Sequence, residues 1–136
     1  MDEVNIKTDS FGDKYYYLNK LFHRTDGPAI EYSNGNKLWY LNGKCHRKDG
    51  PAADFPDRYK KWYTNGELHR KDGPAIECVD GHKEWWLNGK RHRKDGPAVE
   101  YTSGSKSWYL NGVYYGRNDD FTNESWIRFV KTLIFS

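Results

Sequence analysis

"PAIEYSNGNKLWYLNGKCHRKDG", residues 28–50, holds the pattern that decides the fold. "PAIEY" is short and β-favouring, "SNGN" is a turn, and "KLWYL" is a second strand. The Asn34-Gly35 pair signals a type I′ hairpin. As a two-residue turn it pairs Ile30 with Trp39 and Tyr32 with Lys37. That register predicts Ile30, Tyr32, Trp39 and Leu41 on a packed face, with Ala29, Glu31, Leu38 and Tyr40 on the other.

The stretch recurs. His23, His46, His69 and His92 are spaced by 23 residues, as are Trp39, Trp62, Trp85 and Trp108. Asn42-Gly43, Asn65-Gly66, Asn88-Gly89 and Asn111-Gly112 keep the same period. Self-similarity of this kind marks a stacked repeat protein. Half-copies begin near Lys14 and end near Gly116, which predicts about four to five hairpin units. Each copy offers three turn candidates, yet a translational stack needs an even number of reversals. The "KDG" step at 48–50 is therefore read as a kink or bulge, with Gly50 supplying an unusual dihedral.

"HRKDGPA" combines a histidine with an aspartate, the raw material of a metal site or a general base. Two strands per repeat put equivalent histidines about 9–10 Å apart, too far to share a zinc ion bound at about 2 Å per ligand. A motif repeated four times is also a poor candidate for a single catalytic centre. The preferred reading is structural for His23, His46, His69, His92, Asp26, Asp49, Asp72, Asp95 and the four tryptophans. Histidine and aspartate bond backbone groups in the turn, and proline opens the next strand. Arg24, Arg47, Arg70 and Arg93 pair with acids such as Glu31 and Asp54. No nucleophile elbow, P-loop or clustered cysteine set occurs, so the expectation is no enzyme, no cofactor and no metal.

Composition agrees with a repeat array. Mean hydropathy is −1.06 and 17% of the 136 residues are aromatic, so tryptophan and tyrosine must supply most of the buried area. No apolar run is long enough for a membrane span, and the acidic start "MDEVNIKTDS" is not a signal peptide. Cys45 and Cys78 fall at different places in the repeat, which suits packed thiols and a reduced, cytoplasmic setting. Residues 14–117 carry 19 lysines and arginines against 12 acids, an excess that favours an anionic partner without reaching nucleic-acid-binder density.

"DGPAIEYSNGNKLWYLNGKCHRKDG" resembles the MORN repeat, and "WYLNGK.HR.DGPA" is closer to the variant of it seen in phage and giant-virus proteins. The resemblance covers residues 14–116. It implies an elongated sheet of stacked β-hairpins acting as a protein-interaction scaffold. The viral setting, host cytoplasm included, and inhibition of a host or defence factor by steric blocking follow from the resemblance alone. Three departures stand out. Leu38, Lys61, Glu84 and Ser107 replace the usual glycine, and "HR.DG" replaces "HG.G"; both weigh against carrying over lipid binding. In the second copy "FPDRYK" replaces the Asn-Gly turn and suggests a protruding one.

In a repeat scaffold constant positions hold the fold and varied ones read the partner. The varied sets are 36, 59, 82 and 105; 38, 61, 84 and 107; and 45, 68 and 91. Beside them run Tyr40, Tyr63, Trp86 and Tyr109, a candidate binding stripe with Lys61 and Glu84. Its competing reading is a second packed face. Arg47, Arg70 and Arg93 with Lys48, Lys71 and Lys94 form a basic stripe, the basis of an alternative in which the chain binds nucleic acid or a nucleotide; the competing reading is a solvated face. "DDFTNESWIRFVKTLIFS" reads as a helix whose apolar stripe is Trp126, Ile127, Phe129, Val130, Leu133 and Ile134, with Thr122 or Asn123 as N-cap. The expectation is thus an all-β, elongated single-sheet stack of antiparallel β-hairpin repeats: an acidic segment at 1–13, the array at 14–116, and a capping helix at 117–136. Its partner is a host protein or complex, and a sheet edge left open would pair two chains into a homodimer.

Overall fold

The structure, a computed structural model, describes residues 3–134. The protein is mostly β, antiparallel strands joined by hairpins, with one C-terminal helix. It divides into two compact units, the first ending at Leu68 and the second beginning at His69. No helix among the described residues is long and apolar enough to cross a membrane.

The first unit contains β1 (Asn5–Thr8), β2 (Lys14–Leu18), β3 (Leu21–Phe22), β4 (Ile30–Glu31), β5 (Lys37–Leu38), β6 (Tyr40–Leu41), β7 (Lys44–Cys45), β8 (Ala53–Phe55), β9 (Tyr59–Lys61), β10 (Tyr63–Thr64) and β11 (Glu67–Leu68). Its sheet runs β1-β2-β4-β5-β8-β9, while β3 pairs with β2 and β6–β7 and β10–β11 form two-stranded ribbons. Within the acidic N-terminal segment, β1 pairs antiparallel with β2.

The second unit contains β12 (Ile76–Cys78), β13 (Lys83–Glu84), β14 (Trp86–Leu87), β15 (Lys90–Arg91), β16 (Val99–Glu100), β17 (Lys106–Leu110), β18 (Val113–Arg117), a 3₁₀ turn at Asn118–Asp120, and α1 (Asn123–Ile134). Its sheet runs β12-β13-β16-β17-β18, with β14–β15 as a ribbon.

The path through one repeat explains the turn count. β5 and β6 are one strand bent at Trp39, whose N–H donates to the Ala52 carbonyl (2.7 Å) and whose carbonyl accepts from His46 N–H (3.0 Å). β7 lies antiparallel to β6 and β8 antiparallel to β5. The chain therefore passes from β7 to β8 without reversing, and each repeat makes two reversals.

The register differs from expectation by one residue. Ile30 faces Leu38 and Glu31 faces Lys37, because the tip is a three-residue loop at 33–35 closed by Tyr32 N–H to the Asn36 carbonyl and Gly35 N–H to the Tyr32 carbonyl. The type I′ turn lies instead at Asn42-Gly43, where φ is +50° and +79°. A one-residue slip moves a strand's side chains to the opposite face. Trp39 and Leu41 consequently leave the face of Ile30, and Leu38 and Tyr40 join it. The "FPDRYK" tip does not protrude: Phe55 faces Tyr59 across a three-residue loop, the same length as the others.

Both faces of the sheet bury something at one place, the pair after each proline. Ala29-Ile30 and Ala52-Ala53 are buried in the first unit, Ala75-Ile76 and Ala98-Val99 in the second. The second unit adds a compact cluster of Trp108, Leu110, Trp126 and Val130, flanked by Phe121 and Phe129. It forms because α1 lays part of its apolar stripe on β17. Thr122 is the N-cap, its Oγ1 accepting from Ser125 N–H while its own N–H donates to Ser125 Oγ. Leu133 and Ile134, further along that stripe, are exposed.

Candidate functional site: a clasp on one face, varied residues on the other

The four "HR.DGPA" loops share one geometry. Each arginine folds back over its own glycine and donates Nη1–H to the carbonyl of the proline four residues on, at 3.0–3.2 Å. Its Nε faces the aspartate two residues on, at 2.9–3.4 Å. Arg24 holds the Asp26 carboxyl below its ordinary range by hydrogen bond and charge. The guanidinium also stacks on an aromatic ring of the preceding strand: Arg24 on Tyr16 (4.1 Å), Arg47 on Trp39 (3.9 Å) and Arg93 on Trp85 (3.8 Å).

Glycine is required in these loops for space, not for its dihedral. A Cβ on Gly27, Gly50, Gly73 or Gly96 would stand 2.6–3.0 Å from the arginine Cζ, and none of the four has a positive φ. The expected role of Gly50 as a dihedral hinge is thereby corrected.

A carboxylate seven residues after the arginine completes the clasp in three copies: Glu31 (2.9 Å), Glu77 (3.0 Å) and Glu100 (3.4 Å). The expected pairing of Arg47 with Asp54 is absent. Aspartate is one methylene short, and its Oδ1 is buried without a partner.

The histidines join one repeat to the next rather than bonding their own loops. Nδ1 of His23, His46, His69 and His92 accepts the N–H of Asn42, Asn65, Asn88 and Asn111, each at 3.0 Å. Those asparagines occupy the left-handed region with φ between +48° and +51°. An imidazole that accepts at Nδ1 is neutral with its proton on Nε2. Burial, and then the Lys94 charge, push His92 below its ordinary value.

Between successive clasp loops lies an open groove in each unit. One, of about 690 Å³, is walled by Arg24–Gly27 and His46–Asp49 and floored by Trp39 and Leu41. Its counterpart, of about 730 Å³, has Trp85 and Leu87 as floor and Lys71 and Lys94 in its walls. Lys48, Lys71 and Lys94 are exposed. They lie on the Trp39 and Trp85 side of the strands, away from Tyr40 and Trp86. The basic stripe and the aromatic stripe therefore occupy opposite faces.

Cross-strand pairing defines those faces. On the clasp side of the first unit, Lys14, Glu31, Lys37, Asp54 and Lys60 stand opposite one another in an alternating charge ladder. Glu77, Lys83, Glu100 and Lys106 do the same in the second unit. The other face carries Tyr15, Ile30, Leu38, Ala53 and Lys61 in the first unit and Ile76, Glu84, Val99 and Ser107 in the second, from the same pairs.

All three varied sets and the aromatic stripe share this second face. In the first unit Phe22 lies between Tyr17 (5.0 Å) and Tyr40 (5.4 Å), Tyr40 pairs with Cys45, and Tyr63 pairs with Leu68. Burial pushes the Cys45 thiol up to about 12, so it is a packed, unreactive group there. In the second unit Glu84 is the centre of a network. Its carboxylate meets His82 Nε2 (2.9 Å), Trp86 Nε1 (3.1 Å) and Arg91 Nε (3.1 Å). Desolvation works to raise the Glu84 carboxyl, but these bonds and the Arg91 charge outweigh it and hold the group below its ordinary value. Arg91 in turn lies against the Trp86 and Tyr109 rings, at 5.2 and 5.3 Å. The rings of Tyr40, Tyr63, Trp86 and Tyr109 are half-buried.

Sequence reasoning missed the charge ladder and the glutamate of the clasp in its later copies, although an acid recurs at 31, 54, 77 and 100. Comparison with models of known protein families finds no match, and comparison with curated proteins finds none either.

Proposed function

We propose that this chain is a non-enzymatic repeat scaffold, of the MORN-like kind its motifs resemble, that binds another protein on the aromatic face. One observation carries the reading. In every copy the residues that change, such as His82, Glu84 and Arg91, gather on one face beside a half-buried ring, while the residues that stay constant build the clasp on the other face. Tyrosine, tryptophan and arginine are the residue types that dominate protein interfaces. The likeness to repeats of phage and giant-virus proteins makes a host protein or complex the expected partner and steric blocking the mode of action.

The test is capture from host lysate on tagged protein, split into nuclease-treated and untreated halves, with Tyr40→Ala, Tyr63→Ala and Trp86→Ala beside the wild type and Lys48→Ala as the opposite-face control. The proposal expects a protein that survives nuclease and is lost with the ring substitutions alone. Recovery that vanishes with nuclease, or that follows Lys48, assigns the function to the basic stripe and overturns it.

A further inference from the structure

The aromatic face of the first unit carries Lys61 in β9 and Arg58 at the adjoining tip, with Lys7 on the same face in the edge strand, opposite Tyr15. Lys61 and Arg58 approach the same ring: Lys61 Nζ is 4.3 Å and Arg58 Cζ 5.6 Å from the Tyr59 centroid. Lys61 is half-buried, yet among the described residues neither cation has an ion-pair partner. Lys61 is the one half-buried lysine among the described residues, and in the second unit the equivalent face pairs Arg91 with Glu84. A cation partly withdrawn from water without a counter-charge is complementary to an incoming anion.

The neighbouring ring limits what that anion is. Phe55 stacks on Tyr59 nearly parallel, with centroids 4.9 Å apart and 14° between planes. Phe55 and the Lys61 ammonium both lie against the Tyr59 ring, where they compete with any nucleobase for stacking, the main sequence-independent grip on single strands. The chemistry left open is charge beside apolar surface: Lys61 and Arg58 next to Phe55, Tyr32 and Leu38. Carboxylates interspersed with apolar side chains fit it.

We propose that the partner presents an acidic segment here, with carboxylates on Lys61 and Arg58 and an apolar side chain on the Phe55–Tyr32 side. This deepens the proposed function and rests on it. The positions equivalent to 61 hold Leu38, Glu84 and Ser107; because Glu84 is held by His82, Trp86 and Arg91, Lys61→Ser accompanies Lys61→Glu and a thermal melt of both checks that the fold is kept.

The test titrates full-length protein with a peptide alternating Glu and Leu, its Gln counterpart, and oligothymidylate, followed by calorimetry. Lys61→Glu, Arg58→Glu and the opposite-face control Lys48→Glu are compared. The expected result is binding of the Glu peptide alone, weakened about tenfold by Lys61→Glu, equivalent to about 1.4 kcal/mol, and unchanged by Lys48→Glu. No binding of the Glu peptide, equal binding of the Gln peptide, or equal loss in Lys48→Glu overturns the inference. So does oligothymidylate binding that Lys61→Glu abolishes. Lysate capture separates it from the broader reading: loss with Tyr40→Ala but not with Lys61→Glu leaves the face and removes the acidic partner, whereas loss with neither removes both.

Discussion

Asp54→Glu is expected to stabilise the protein. In three repeats the clasp arginine reaches a glutamate at 2.9–3.4 Å; in the second it meets an aspartate whose buried Oδ1 has no partner. One more methylene carries the carboxylate toward Arg47, and Lys37 and Lys60 remain cross-strand neighbours as in the other copies. A half-exposed ion pair contributes up to about 1 kcal/mol. Relief of an unpaired buried acceptor adds about 1 kcal/mol or more, and ordering the longer side chain costs about 0.5 kcal/mol. The net is about 1–2 kcal/mol, a rise of about 3–6 °C in Tm for a chain of this size. Urea titration of Asp54→Glu and of the reverse change, Glu31→Asp, measures both directions with equal m-values. A neutral or destabilising Asp54→Glu together with a harmless Glu31→Asp would show that the carboxylate adds nothing to the clasp.

Gly50→Ala should cost about 1–3 kcal/mol, because its Cβ would sit 2.8 Å from Arg47 Cζ; a loss seen equally in an Arg47→Ala background would remove that explanation. Lys20 occupies the left-handed region with φ +68° at the place where other copies have glycine, so Lys20→Gly should gain about 1 kcal/mol in a thermal melt. Acid should weaken the fold in two stages. His92 is held below its ordinary 6.5 and must stay neutral to accept from Asn111, so its contribution is full above that value and is lost as pH falls through the depressed one. Glu84 is held below its ordinary 4.5, so its contribution persists above that value and is lost at lower pH. Urea midpoints recorded from pH 8 to pH 3 should fall in both ranges, and His92→Gln should flatten the upper one.

The period, the strand content and the two reversals per repeat were legible because each depends on local patterns repeated four times. The register was not. Two Asn-Gly-like pairs per repeat suggest the same turn, but Ser33-Asn34-Gly35 closes a three-residue loop and only Asn42-Gly43 has two residues at positive φ. A single extra loop residue then sends Trp39 to the clasp side. The stripe of Tyr40, Tyr63, Trp86 and Tyr109 kept its varied neighbours at 38, 61 and 84 because alternation within a strand survives any slip between strands. The glycine of the clasp was misread for a related reason. Its need comes from a guanidinium folding back from three residues earlier, which no rule about dihedrals detects.

The same accounting explains how the array tolerates a varied face. Each repeat is fastened by groups on the clasp side: arginine on proline carbonyl and histidine on asparagine N–H, with Arg24, Arg47 and Arg93 also on a ring. The buried pair after proline is small and nearly constant, Ala-Ile, Ala-Ala, Ala-Ile and Ala-Val. Positions 38, 61, 84 and 107 stand opposite the second residue of that pair but take no part in the clasp, and Leu, Lys, Glu and Ser all occur there. Where the clasp ends, another aromatic must take over. Gly116 stands at the place of the arginine, and Trp108 is covered instead by Phe121 at 5.6 Å and Trp126 at 5.4 Å, with Trp126 Nε1 donating to the Arg93 carbonyl. Helix α1 thus closes the clasp side of the last repeat and leaves its opposite face, with Tyr109, open.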